Sequence, residues 1–331
     1  MATVQASVKP AGADAYGSVG KSEWLDVDWT AHQRWERIQG RWLNLIEIGT
    51  GPPLVFVHGL CGCWQNWLEN ICVFARDHRV IAMDLPGFGC SEMPEDRISI
   101  PGYANALEEL LDVLGIDGAI IVGNSMGGFV AAEIGICSPE RVERLCLVAA
   151  AGLSVEHMRT ERTRGLRHRA ENLVFFCAAC AARSSPRMML RPRVRQTVLR
   201  IIVTHPEDLP GPLMAEQVRG AGTPGFQGAL DALTCYPISE RLHKIACPTL
   251  IVWGDKDRIV PYRDAAVFHR LIAGSRLVTY ADTGHLTMIE RPERFNHDLR
   301  AFLESSSLDS SSLDNSNAAS SEPLSRSTWV D

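Results

Sequence analysis

The chain predicts an α/β protein, a mostly parallel sheet flanked by helices, with a helical insertion. Three observations predict it. Continuous apolar runs at residues 54–57, 80–83, 119–122, 145–148, 249–253 and 277–280 read as buried strands. Stretches with helical periodicity alternate with those runs, the pattern of a sheet covered on both faces. The alternation stops between about residues 153 and 236, which are helical in composition and hold no strand run.

Each element follows from local chemistry. Residues 1–22 are small and polar and read as a flexible leader. Residues 35–39 and 42–48 alternate apolar with polar and meet at Gly40-Arg41, an antiparallel hairpin. After the turn residues Gly51-Pro52-Pro53, strand 54–57 ends in His58-Gly59-Leu60-Cys61-Gly62. A helical pattern covers 67–74. Strand 80–83 ends in a loop dense in turn residues, Asp84-Leu85-Pro86-Gly87-Phe88-Gly89-Cys90-Ser91. Residues 103–114 place Leu107, Leu110, Leu111 and Leu114 on one helical face. After the insertion, helices are expected at 265–271 and 292–303. The core is therefore assigned to 23–152 and 237–304, with 153–236 a lid inserted into one catalytic domain. From 305 the chain is serine-rich and repeats Ser-Ser-Ser-Leu-Asp. Such a segment buries too little surface to offset its ordering entropy, so disorder is expected over 305–331.

Composition narrows the function. Over 331 residues, 46% are apolar and 22% charged, enough for a substantial core. A formal charge of −6 argues against a general nucleic-acid binder. The ten cysteines are scattered; Cys177 and Cys180 lie in an apolar helical run without a second pair, which reads as core rather than a metal or redox site. The first twenty residues hold no apolar signal region and no run is long enough to span a bilayer, so a reduced, cytoplasmic setting is expected.

The stretch that organises the chain is Gly123-Asn124-Ser125-Met126-Gly127-Gly128, between the run 119–122 and a helix start. A strand-to-helix turn this sharp thrusts the serine hydroxyl out at the strand end and needs small neighbours. The bland alternative is a glycine-rich turn whose serine caps the helix. The flanking strand and helix favour a nucleophile. A serine needs a base, and the base an orienting group. In a parallel sheet these sit at carboxyl ends of strands. Two later strand ends qualify: Gly254-Asp255-Lys256-Asp257, continuing to Pro261, and Ala281-Asp282-Thr283-Gly284-His285. Both Asp255 and Asp257 are candidates for the acid, and Asp255 also reads as a turn residue bonding its own backbone. Asp282 reads as a cap for the His285 loop. His58 rivals His285 as base, or shapes the loop beside Gly59; the remaining histidines, His205 among them, fall in surface or structural patterns. Gly62 reads as a tight-turn residue.

With His58-Gly59 after a strand, the Asp84-to-Ser91 loop, the Gly123-to-Gly128 turn, and the Asp257 and Gly284-His285 loops in order at strand ends, the chain resembles the α/β-hydrolase fold superfamily over nearly all of 34–304. The resemblance implies an eight-stranded, mostly parallel sheet. It implies Ser125 as nucleophile, His285 as general base and Asp257 as orienting acid, since Gly-x-x-Asp-x-x-x-Pro matches Gly254, Asp257 and Pro261. It implies an oxyanion hole from the backbone N–H groups of Leu60 and Met126, and no cofactor or metal. A serine at the elbow disfavours the dehalogenases and epoxide hydrolases of this fold, which carry aspartate there. What remains is acyl chemistry on a small-molecule ester or related acyl substrate, a cofactor-free peroxidase or perhydrolase variant included. The Ser125 flank is also similar to carbon–carbon hydrolases of aromatic ring-cleavage products. Those carry an aromatic residue after the catalytic histidine, where this chain has Leu286, and a lid arginine. The insertion's arginines, Arg159 to Arg200, have three readings: a solvated helix face, capture of an anionic substrate, or contact with an anionic membrane surface. Met188, Met189 and Met214 read as pocket wall or core filling.

Overall fold

The computed structural model describes residues 14–154 and 186–305. Eight strands form one sheet in the order β1-β2-β4-β3-β5-β6-β7-β8. They are β1 Gln33–Ile38, β2 Arg41–Ile48, β3 Pro53–Val57, β4 Arg79–Met83, β5 Ala119–Asn124, β6 Val142–Val148, β7 Thr249–Gly254 and β8 Arg276–Tyr280. The hairpin β1–β2 is antiparallel, β2 runs antiparallel to β4, and the remaining neighbours are parallel. Ile38 pairs with Arg41, so the turn is Gln39-Gly40, one residue earlier than the sequence pattern indicated. Both turn residues have positive φ, 51° and 74°, the twist that a two-residue hairpin favours.

Parallel strands covered on both faces need no alternation, and β5 and β7 are buried at every position. Helices α1 Leu68–Phe74, α2 Ile100–Val113 and α3 Met126–Cys137 follow β3, β4 and β5. Ser99 caps α2 by accepting from the Gly102 N–H at 3.1 Å. Between β6 and β7 the described residues hold α4 Pro192–Leu199, α5 Gly211–Gln217 and α6 Phe226–Cys235, and no strand. Helices α7 Arg263–Leu271, α8 Thr287–Glu290 and α9 Pro292–Glu304 complete the covering. One core cluster joins α2, α3 and α7 to one sheet face; a second joins α1 and α9 to the other and takes in Met189 and Met214. Met188 is exposed instead. No helix among the described residues is long and apolar enough to cross a membrane.

The leader needs correction over residues 14–22. Tyr16 donates to the Glu290 carboxylate at 2.9 Å, the Gly17 N–H to the Glu290 carbonyl at 2.8 Å, and the Val19 N–H to Glu293 at 2.7 Å. The stretch is fastened because its hydrogen-bonding groups meet the carboxylates of Glu290 and Glu293 and the Glu290 carbonyl. Residues 1–13, the tail from 306 and the insertion from 155 to 185, with Cys177 and Cys180, lie outside the described residues.

Of the insertion's arginines that are described, Arg195 is buried. Its guanidinium donates to the carbonyls of Met189, Pro206 and Glu207 at 2.8–2.9 Å. It therefore staples the insertion internally. Arg187, Arg191, Arg193 and Arg200 are exposed.

Candidate active site

Glycine is demanded at the β5–α3 junction by close backbone approach. A Cβ on Gly123 would lie 2.2 Å from the Gly127 carbonyl oxygen, and one on Gly127 would lie 2.2 Å from that of Val57. The chain must turn between these contacts, which forces Ser125 to φ 55°, ψ −115°. A non-glycine residue there is strained by roughly 1–3 kcal/mol. The Ser125 N–H donates to the Val148 carbonyl at 2.9 Å, and its carbonyl accepts from Ala151 at 3.0 Å and Phe129 at 3.1 Å. The backbone is thus over-determined by its neighbours. The side chain makes no N-cap bond to α3, contrary to the capping alternative.

Strain concentrates around this point. Among the described residues, five non-glycines have positive φ, and four of them, Cys61, Ser125, Ala149 and Asp282, follow the carboxyl ends of β3, β5, β6 and β8.

Asp257 and His285 meet. The His285 Nδ1 lies 2.7 Å from Asp257 Oδ2, with the aspartate side chain fully buried. The other carboxylate oxygen accepts from the Ile259 and Val260 N–H groups at 2.8 and 2.9 Å. Three donors hold the carboxylate in one orientation and fix the imidazole with its Nδ1–H toward Asp257. Asp255 instead accepts from the Thr283 N–H at 3.4 Å, across to the His285 loop rather than within its own turn. Asp282 pairs with His205 Nε2 at 2.8 Å.

Asn124 brings the His285 loop to the elbow. Its Nδ2 donates to the carbonyls of Val148 at 3.1 Å and His285 at 3.3 Å. The residue before Ser125 therefore grips the main chain of His285, a link that spans 161 positions and has no sequence signal.

The loop after β3 abuts the same point. A Cβ on Gly59 would lie 3.0 Å from the Ser125 Cβ. Leu60 follows Gly59, and Met126 opens α3, where the first N–H groups have no intrahelical acceptor. Leu60 and Met126 are thus the chain neighbours of the two residues, Gly59 and Ser125, that meet here. His58 is fully buried and shapes this loop: Nδ1–H donates to the Gly59 carbonyl at 2.7 Å and Nε2 accepts from the Leu85 N–H at 3.0 Å. Burial lowers its pKa from the ordinary 6.5 to about 4. A neutral ring with both nitrogens engaged is no proton carrier.

Asp84 locks the neighbouring loops. It is buried and accepts from Trp64 N–H, Asn44 Nδ2 and Cys90 N–H at 2.8–2.9 Å. Burial pushes its pKa up, and those three donors pull it back. A Cβ on Gly89 would lie 2.1 Å from this carboxylate. The insertion docks on the same loops: a Cβ on Gly220 would lie 2.2 Å from the Gly62 carbonyl, Gly225 N–H donates to Gly87 at 2.9 Å, and His285 N–H donates to Ile202 at 2.8 Å. Among the described residues no group of His, Cys, Asp and Glu is placed to hold a metal ion.

Two predictions come from this geometry. A Ser125→Gly protein should be more stable than Ser125→Ala by about 1 kcal/mol in urea unfolding, because glycine relieves the positive φ. His58 binds its proton more readily in the unfolded chain, so stability should fall as pH drops from 6.5 toward 4, by up to about 3 kcal/mol. Denaturation midpoints across that window should flatten in a His58→Asn variant.

Comparison with known proteins agrees with the fold. The sequence profile of the Alpha/beta hydrolase family matches residues 54–298. The 2-hydroxy-6-oxo-6-phenylhexa-2,4-dienoate hydrolase of Comamonas testosteroni is 30% identical over 267 residues, covering 76% of this chain and 87% of that one. Among solved structures, a membrane phospholipase A is 26% identical with a TM-score of 0.65, covering 82% of this chain and 85% of that one. A serine hydrolase involved in carbazole degradation is 25% identical with a TM-score of 0.64, covering 82% and 98%. The chain belongs to the alpha/beta hydrolase family.

Proposed function

We propose that the protein is a serine hydrolase that cleaves a carboxylic ester, or a related acyl bond, of a small apolar molecule. The observation that carries this reading is the buried 2.7 Å contact of His285 with Asp257, on a loop that Asn124 ties to the strained Ser125 elbow. Ser125 attacks the acyl carbon while His285 takes its proton and Asp257 stabilises the imidazolium. The tetrahedral oxyanion is received by the N–H groups of Met126 and Leu60. The alcohol leaves with the proton from His285. Water, activated by His285, then clears the acyl-enzyme. No cofactor enters these steps. The serine hydrolase and phospholipase among the similar structures are in keeping with this chemistry.

The segment between β6 and β7 serves as the lid and wall of the acyl site in this reading. Its docking against Gly62, Gly87 and His285 supports that assignment. A cytoplasmic setting fits the free thiols of Cys63, Cys72, Cys146 and Cys247.

A second reading is hydrolysis of a carbon–carbon bond in an acidic vinylogous diketone. The Comamonas testosteroni relative, named for such a reaction, favours it. Leu286, which follows His285 in place of an aromatic residue, weighs against it; the insertion's arginines keep it open, for although Arg195 is engaged by backbone carbonyls, Arg187, Arg191, Arg193 and Arg200 are exposed. The test is a panel of nitrophenyl esters of graded acyl length beside one vinylogous diketone acid. Ester turnover that Ser125→Ala reduces by about 10⁴-fold or more is the expected result. Turnover of the diketone acid alone selects the second reading, and ester turnover retained in Ser125→Ala discards the first.

A further inference from the structure

Glu290 closes α8 and is fully buried. Its carboxylate is met by donors from three separate stretches of chain. From the loop after β8, the Gly284 N–H reaches both oxygens at 2.9–3.0 Å, and the Leu286 N–H reaches one at 3.2 Å. From the insertion, the Thr204 N–H donates at 2.8 Å. From the segment ahead of the sheet, the Tyr16 hydroxyl donates at 2.9 Å. Tyr16 in turn accepts from the His205 N–H at 2.8 Å, so one phenol bridges the carboxylate and the insertion.

The two N–H groups from the first stretch belong to the residues on either side of His285. The main chain of His285 is fixed as well: its N–H donates to Ile202 at 2.8 Å and its carbonyl accepts from Asn124 at 3.3 Å. Asp257 sets the rotation of the imidazole, but only the backbone sets where the ring stands. Three independent anchors hold that backbone, and Glu290 is the one charged anchor among them. Burial pushes the Glu290 carboxyl pKa upward, while the donors from Thr204, Gly284, Tyr16 and Leu286 counter it. Such an arrangement is costly to leave half satisfied, so its members stand or fall together.

We propose that Glu290 is a positioning residue for His285, and that Tyr16 completes it by donating to the same carboxylate. The proposal rests on His285 being the general base. It makes the segment ahead of the sheet a contributor to turnover although it supplies no reacting atom. A ring displaced by a fraction of an ångström still receives substrate but no longer takes the Ser125 proton efficiently. A misplacement near 1 Å is enough for a loss of about 10²-fold.

The test uses the full chain, a fluorophosphonate probe and the best nitrophenyl ester. Counts of probe-reactive sites normalise rates to folded protein. Glu290→Gln keeps the shape but turns an amide N–H₂ toward the backbone donors. Its kcat and its rate of probe labelling should both fall about 10–100-fold, with KM within about twofold of the parent. Tyr16→Phe should lower kcat in the same sense by about tenfold, the scale of one lost hydrogen bond to a charged group. The double variant should lose less than the product of the two losses, because both act through one carboxylate. Parent-like kcat and labelling in the single variants overturn the positioning role while leaving Ser125 as nucleophile. A parent protein that the probe does not label overturns the nucleophile itself, and this proposal with it. Should Glu290→Gln fail to fold, Tyr16→Phe decides alone, and an unchanged kcat in it overturns the proposal.

Discussion

Backbone crowding where β5 turns into α3 is the constraint on which the site depends. Gly123, Gly127 and the carbonyl of Val57 stand so close that a single methyl at either glycine would collide with main chain. Main chain cannot move aside as a flexible side chain can, so the crowding fixes residue size. It also fixes the conformation of Ser125, whose N–H and carbonyl are bonded into the adjoining β6 end. A strained residue persists only when its surroundings over-determine it, and here they do. The loop that carries Gly59 then packs on the Ser125 Cβ.

Buried carboxylates organise what surrounds that junction. Asp84 gathers β2, the loop after β3 and the loop after β4. Asp257 gathers its own turn and the imidazole of His285. Glu290 gathers the loop after β8, the insertion and the stretch around Tyr16. Each accepts several donors, which is the condition under which a carboxylate is tolerated away from water. Loops at strand ends cannot be held by a sheet ladder, so they are held this way instead. Backbone contacts at Gly220 and Gly225 add the insertion to the same set of loops.

The strands were legible because buried parallel strands are uninterrupted apolar runs, and the elbow because crowding leaves glycine no substitute. Asp257 over Asp255 was legible only through the spacing to Gly254 and Pro261; periodicity does not separate two aspartates two residues apart. The Asn124, Asp84 and Glu290 contacts were not legible. Their longest contacts join residues 161, 40 and 274 positions apart, and nothing in the local pattern distinguishes them from ordinary polar residues. Arg195 misled for the same reason: in composition it is one more insertion arginine, and only its three carbonyl partners set it apart. Residues 14–22 read as leader because polarity was visible and the distant carboxylates that bind them were not.

The central claim is that the Ser125 hydroxyl, the His285 imidazole and the amides of Leu60 and Met126 converge on one reacting acyl group. A crystal structure of the fluorophosphonate-inhibited protein tests it most directly. The account predicts phosphorus bonded to Ser125 Oγ, with the phosphonyl oxygen about 2.7–3.1 Å from the amide nitrogens of Met126 and Leu60 and His285 Nε2 turned toward the adduct. An adduct on another residue, or a phosphonyl oxygen facing away from both amides, would contradict it.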